Sequence, residues 1–313
     1  MKKIYPYMSG ILLTVALTSA CGNGSADSDA SESAQTMTDG AGNEVQVPDS
    51  PERIIAPYLE DPLLTLGETP VVQWSVMNGS SHQDYLEESL TDIPFIDFEL
   101  PLESVIEADP DLIIVPDSAS LGGGEYSQYD QIAPTYVLSS DTENDWRAAL
   151  LEVGEVLGEE QAANETIEEY EAHVDEVREE LMSEVGSDKV AALWLTNGTY
   201  FIVAPSVASG TVLFDDLDLE PANAIANIPA DAEAHWNELS REALAELDAD
   251  YIFLVNSDGE SSEALMTEDV WSNIPAVDQD QVFEVDPDGS WLYNGYQANR
   301  QTIDDVAAHI LGE

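Results

Sequence analysis

This 313-residue sequence contains a single cysteine and only eight basic residues. With Cys21 as the one thiol, no internal disulfide can form, and the folded core depends on burial alone. Eight Lys and Arg against 64 Asp and Glu give a formal net charge of −56. That balance excludes electrostatic binding of nucleic acid, because phosphate recognition needs clustered cations that displace counterions. Catalytic signatures are absent too: there is no Gly-x-Ser-x-Gly elbow, no glycine-rich phosphate loop and no Cys–His pairing. Carboxylates are so abundant that an Asp/Glu pair reads as solvated surface. Of the histidines, His173 and His309 fall in helical segments, which leaves His82 and His235 as the pair able to approach each other across a cleft. No enzymatic activity, resident cofactor or metal centre is expected.

Around Cys21 the setting is informative. Lys2 and Lys3 give a basic start, Ile11 to Leu17 an apolar stretch, and Thr18, Ser19 and Ala20 a small-residue cleavage point, as in a secretory signal peptide. The stretch is shorter than the roughly 20 apolar residues a membrane helix requires. The run resembles a bacterial lipoprotein signal, although Thr18 stands where leucine is commonest. That resemblance implies cleavage before Cys21, acylation of its thiol and anchoring in the lipid bilayer. The expected location is the outer face of a cell membrane of Gram-positive type. A saline habitat is also expected, since repulsion among so many carboxylates is screened in ~1 M salt, where the Debye length is about 3 Å.

Hydrophobic content is nevertheless 43%, and recurrent apolar runs argue for a folded chain rather than a disordered polyanion. Residues 1–20 read as the signal and 21–37 as a solvated tether. Strand candidates at Arg53 to Pro57, Val71 to Trp74, Leu112 to Val115 and Thr135 to Leu138 alternate with helical stretches, which predicts a mainly parallel α/β lobe over 38–159. A second lobe is expected over 186–313, because the helix, Asp-x-Asp turn and buried strand of Leu102 to Val115 recur in Arg241 to Val255. Between them apolar residues recur at Ala163, Ile167, Tyr170, Val174, Val177, Leu181 and Val185. This periodicity predicts one helix over about 160–185, broken from the preceding helical segment at Gly158 and about 37 Å long at 1.5 Å per residue. The expected architecture is two Rossmann-like α/β lobes joined by one long rigid helix, with a ligand cleft between them.

Aromatic residues gather where strands should end: Tyr58, Trp74 and Tyr126 in the first half, and Trp194, Tyr200, Trp291, Tyr293 and Tyr296 in the second. Strand carboxyl ends form the ligand crevice of open α/β sheets, and large rings there supply rigid contact area. Arg300 is the one cation expected near the Trp291 loop.

Several segments, in order, resemble the iron-siderophore and cobalamin substrate-binding lipoproteins of ABC importers. They are Thr38-Asp39-Gly40 through Val47-Pro48 to Pro51-Glu52-Arg53-Ile54-Ile55, the Leu102 to Val115 unit, Tyr129 to Thr135, and Trp271 to Val277 through Val282 to Asp286. The resemblance implies capture of a metal chelate outside the membrane and delivery to a permease, with iron present only as the ferric siderophore complex. It also implies that Glu103 and Glu242 dock on permease arginines. Trianionic ferric chelates call for convergent positive groups, which this sequence lacks. A ferric hydroxamate, neutral or singly positive, needs aromatic walls and few charges. The expected protein is a monomer that binds such a siderophore. Haem or cobalamin, with His82, His235, Met77 or a tyrosine as axial ligand, is the alternative within the same fold, and a surface hydrolase the alternative outside it.

Overall fold

A computed structural model of the chain describes residues 34–229, 234–259 and 261–312. The signal and most of the tether lie outside the described residues. The tether ends earlier than its composition indicates, because Ala34–Thr38 forms a strand antiparallel to Glu44–Pro48, with Met37 opposite Val45. Burial of Met37, Val45 and Val47 fixes that hairpin on the first lobe. Its turn is closed by Asp39, whose carboxylate accepts the backbone N–H groups of Ala41 and Asn43.

The first lobe carries a parallel sheet in the order Ile54–Ile55, Leu112–Val115, Thr135–Val137. A separate parallel pair, Gln73–Ser75 and Phe95–Asp97, lies beside it. Every residue of Leu112–Val115 is buried, the pattern of a strand covered on both faces. The second lobe is less uniform than expected. Its sheet runs Trp236–Leu239, Thr199–Val203, Lys189–Thr196, Tyr251–Asn256, Val282–Val285. The first three of these strands pair antiparallel. The cause is a tight hairpin at Asn197-Gly198, where both residues take positive φ, the geometry that reverses a strand without splaying it.

The repeated unit is real in three dimensions. The helices Leu102–Ala108 and Arg241–Ala245 each lead through an Asp-x-Asp turn into a buried strand. In the first lobe Asp111 accepts the N–H groups of Glu52 and Arg53, while the Arg53 guanidinium donates to the carbonyls of Asp109 and Ala108. In the second, Asp250 accepts the N–H of Lys189 and Asp248 holds the Lys189 ammonium at 2.5 Å. Each turn thus pins the start of the neighbouring strand with one carboxylate and one cation.

The helix Glu160–Glu184 has the expected span, and Gly158, at φ 74°, ends the preceding helix Trp146–Leu157. It is not a bare rod. Ala163, Tyr170, Val174, Val177 and Leu181 are buried, on one face set by their spacing of three, four and seven. They belong to a core that includes Ile54 and Leu112 of the first lobe, Trp146 and Val153, and Phe253, Val255 and Ile303 of the second. The C-terminal helix Tyr296–Leu311 packs on the long helix, on Trp146–Leu157 and on the first-lobe helix Glu60–Thr65. The lobes are therefore joined through a shared layer of helices.

Candidate functional site

A cavity of about 950 Å³ lies between the lobes, within the 300 to 1,000 Å³ usual for small-molecule sites. Its first-lobe wall is built from residues that follow strands: Pro57 and Tyr58 after Ile54–Ile55, Phe98 and Glu99 after Phe95–Asp97, Pro116 and Asp117 after Leu112–Val115, and Leu138 to Ser140 after Thr135–Val137. Strand carboxyl ends therefore do form the crevice, as the parallel topology demands. Val207, Ala208, His235 and the run Leu292 to Tyr296 supply the second-lobe wall, and Trp146 reaches it from the helix layer.

Tyr58 and Trp74 form the principal aromatic pair, edge to face with centroids 4.9 Å apart. Tyr58 sits at φ 62°, a left-handed conformation that a bulky residue holds only when its surroundings impose it. Trp74 is positioned by its backbone N–H, which donates to Oε1 of buried Glu60 at 2.6 Å. Burial pushes the Glu60 carboxyl up to about 7, and its Oε2 finds no hydrogen-bond partner among the described residues.

Across the cavity, Tyr293 donates its hydroxyl to the carbonyl of His82 at 2.6 Å and packs on Tyr85 at 5.0 Å. Asp61 ties the same region together. Its carboxylate accepts the N–H groups of Gln297 and Ala298, each at 3.1 Å, and the hydroxyl of Tyr85 at 3.0 Å. A first-lobe carboxylate thereby caps the C-terminal helix of the second lobe, satisfying N–H groups that a helix start leaves without partners. Burial raises the Asp61 carboxyl, and these hydrogen bonds oppose the rise.

Of the sequence-derived candidates, Tyr58, Trp74, Tyr293, Tyr296 and His235 line the cavity, and Tyr126, Trp194, Tyr200, Trp291 and Arg300 do not. Trp291 is fully buried, stacked on Phe253 at 4.7 Å, with its indole N–H donated to Asp305. Tyr200 is buried against Trp271. Tyr126 donates its hydroxyl to the carbonyl of Thr135, and Trp194 donates to Ser257 and packs on Phe201 and Trp236. These four rings follow or occupy strands as the lining residues do, but their polar atoms are committed within the lobes. Arg300 lies on the C-terminal helix beyond the lining. Glu103 and Glu242 are exposed in the first turns of their helices.

Phe98, Glu99, Asp117, Glu143 and Trp146 are lining residues that the sequence reading missed. Phe98 and Asp117 follow strands and were detectable by that rule. Trp146 opens the helix Trp146–Leu157, where an apolar residue signals helix packing and not a site. Its ring lies under the Arg147 guanidinium, 4.5 Å from the centroid, and against Tyr170, and it contributes to the lining from the helix layer. His82 is paired with Asp84 and its ring packs on Phe95. Among the described residues no group of three or more His, Cys, Asp or Glu is placed to hold a metal ion.

Two α/β lobes on a shared helix layer, with an aromatic cleft of small-molecule size between them, are the build of a bilobed ligand-binding protein. The chain belongs to the periplasmic binding protein family, whose pattern matches residues 63–288. It is 23% identical over 326 residues to the iron(3+)-hydroxamate-binding protein YxeB of Bacillus subtilis (strain 168), covering 99% of this chain and 97% of that protein. Staphylococcus aureus FhuD2 with bound ferrioxamine B is similar at a TM-score of 0.69 and 19% identity, over 83% of this chain and 98% of that one. Staphylococcus aureus SirA complexed with staphyloferrin B gives a TM-score of 0.71 at 21% identity, over 88% of this chain and 98% of that one. One fold thus houses different ligands, and the lining has to decide among them.

Proposed function

We propose that this protein captures a ferric hydroxamate siderophore outside the cell and delivers it to an ABC permease for iron uptake. The observation that carries this reading is the cleft itself: its walls are Tyr58, Trp74, Phe98, Trp146, Tyr293 and Tyr296, and among the described residues no lysine or arginine lines it. Such walls bind by ring contact and hydroxyl hydrogen bonds. A trianionic ferric catecholate would enter with no counter-charge to replace its lost hydration, which is costly in a partly enclosed site. Two relatives matched over most of the chain are iron(3+)-hydroxamate-binding proteins by name, which agrees with this choice.

Anchoring through an acylated Cys21, outside the described residues, would keep the protein near its permease. Glu103 and Glu242 would meet that partner, one from each lobe. Of the axial ligands considered for haem or cobalamin, His235 alone lines the cleft besides tyrosine; His82 and Met77 lie outside the lining.

Tryptophan quenching titrations with ferrioxamine, ferrichrome, a ferric tris-catecholate and haem test the proposal. Saturable quenching by the hydroxamates is expected, with the protein turning red-brown as it loads. Preferential binding of the catecholate or haem would overturn it. Exchanging Glu103 and Glu242 for arginine should abolish uptake while the isolated protein still binds.

A further inference from the structure

Resting on that siderophore reading, we infer that the cleft selects among ferric hydroxamates by charge, favouring a complex that carries a net positive charge. Two independent features of the lining point the same way. The first is its ionisable content. Glu99, Asp117 and Glu143 line the first-lobe side, from three different loops. Glu99 and Glu143 are exposed, and neither forms an ion pair among the described residues. Asp117 uses Oδ1 to accept the N–H groups of Ala119 and Ser120 and still presents a carboxylate.

The cations that could offset these charges are engaged by other partners, including Arg147, whose guanidinium stacks on the lining ring of Trp146. Arg53 is bonded to the carbonyls of Asp109 and Ala108, Arg147 to Glu171 and Asp216, Arg178 to Asp175, Lys189 to Asp248 and Arg241 to Glu268. Arg300 lies outside the lining, and His235 is the one basic side chain within it among the described residues.

The second feature is the Tyr58–Trp74 pair. The ring faces that this edge-to-face pair leaves uncovered attract a cation independently of any carboxylate, and both residues line the cavity. Three hydroxamates neutralise Fe3+ and leave the chelate core uncharged, so selection can act only on what the siderophore adds. A protonated amine on the chain is attracted by both features, an acyl cap is indifferent to them, and a free carboxylate is repelled. The fold does not impose this choice, because it is set by side chains on the loops that close the cleft.

Ferrioxamine B and its N-acetylated form share one chelate and differ by a single ammonium group, so the pair isolates charge from shape. Quenching titrations of this protein at low ionic strength should give about a three- to tenfold lower Kd for the amine form, the range expected for a few partly exposed charges. The ratio should fall toward one in molar NaCl. The double variant E99Q/E143Q should narrow the low-salt ratio. Equal affinities for the two complexes at low salt, or a ratio that neither E99Q/E143Q nor Trp74→Ala narrows, would overturn charge selection and leave the hydroxamate reading standing. Tighter binding of a ferric tris-catecholate than of either form would overturn both.

Discussion

Gly295 lies so close to Asp61 that a Cβ on it would fall 2.5 Å from the Asp61 carboxyl carbon. The glycine belongs to the second lobe and the aspartate to the first, and the contact brings the Asp61 carboxylate onto the N–H groups of Gln297 and Ala298. Gly295→Ala should therefore force the two apart and cost about 1–3 kcal/mol, as overpacking does. Asp61→Ala should cost at least the ~1 kcal/mol of a lost helix cap. Urea unfolding of both variants checks this. Because both changes act on one contact, their effects should fall short of additive in the double variant.

Stability should depend on pH through the neighbouring residue. Glu60 rises from 4.5 to about 7 because burial disfavours its charged form. The folded state therefore keeps a proton that the unfolded chain releases, and this contribution to stability is fully present below pH 4.5 and is lost as pH rises through about 7. The loss is on the order of 3 kcal/mol at 1.36 kcal/mol per pH unit. Asp61, raised by the same cause, acts with the same sign. Urea melts at pH values on either side of this window should show wild type weakening toward alkaline pH. Glu60→Gln, which retains an acceptor for the Trp74 N–H, should flatten that slope.

Trp74 and Trp291 should separate binding from folding. Trp74 is partly exposed in the cleft wall, and Trp74→Ala should weaken ferric hydroxamate binding about tenfold or more, the loss of one aromatic contact. Trp291 is fully buried, and Trp291→Ala should cost about 3–5 kcal/mol of stability. Calorimetric titration paired with urea melts distinguishes the two. A Trp74→Ala protein that binds like wild type would remove the aromatic pair from the site.

Salt should stabilise the fold. At a net charge of −56, self-repulsion opposes the compact state, and raising KCl from about 0.1 M to about 2 M shortens the Debye length from about 10 Å to below 3 Å. Thermal unfolding should shift upward by several degrees. The same midpoint at both concentrations would show that the acidic surface is balanced locally.

Much of the architecture was legible because it repeats or is periodic. The helix Glu160–Glu184 was visible from apolar spacing and from Gly158, and the two Asp-x-Asp units from their shared pattern. The antiparallel strands of the second lobe were not, although Asn197-Gly198 is a hairpin signal. The site was half legible: a ring that follows a strand reads the same whether it lines a cleft, as Tyr293 does, or packs inward, as Trp291 does two residues earlier.

Sequence alone determined the absence of disulfides, the strongly acidic surface, the alternation that gives two α/β lobes and the helix between them, since these depend on composition and on local periodicity. Tertiary structure decided which aromatic residues meet in the cleft, that every described lysine and arginine lies outside it, and that Asp61 caps the start of the C-terminal helix. Those outcomes depend on contacts between residues far apart in the chain, such as Asp61 with Ala298 and Tyr293 with His82, and no local pattern encodes where distant segments will touch.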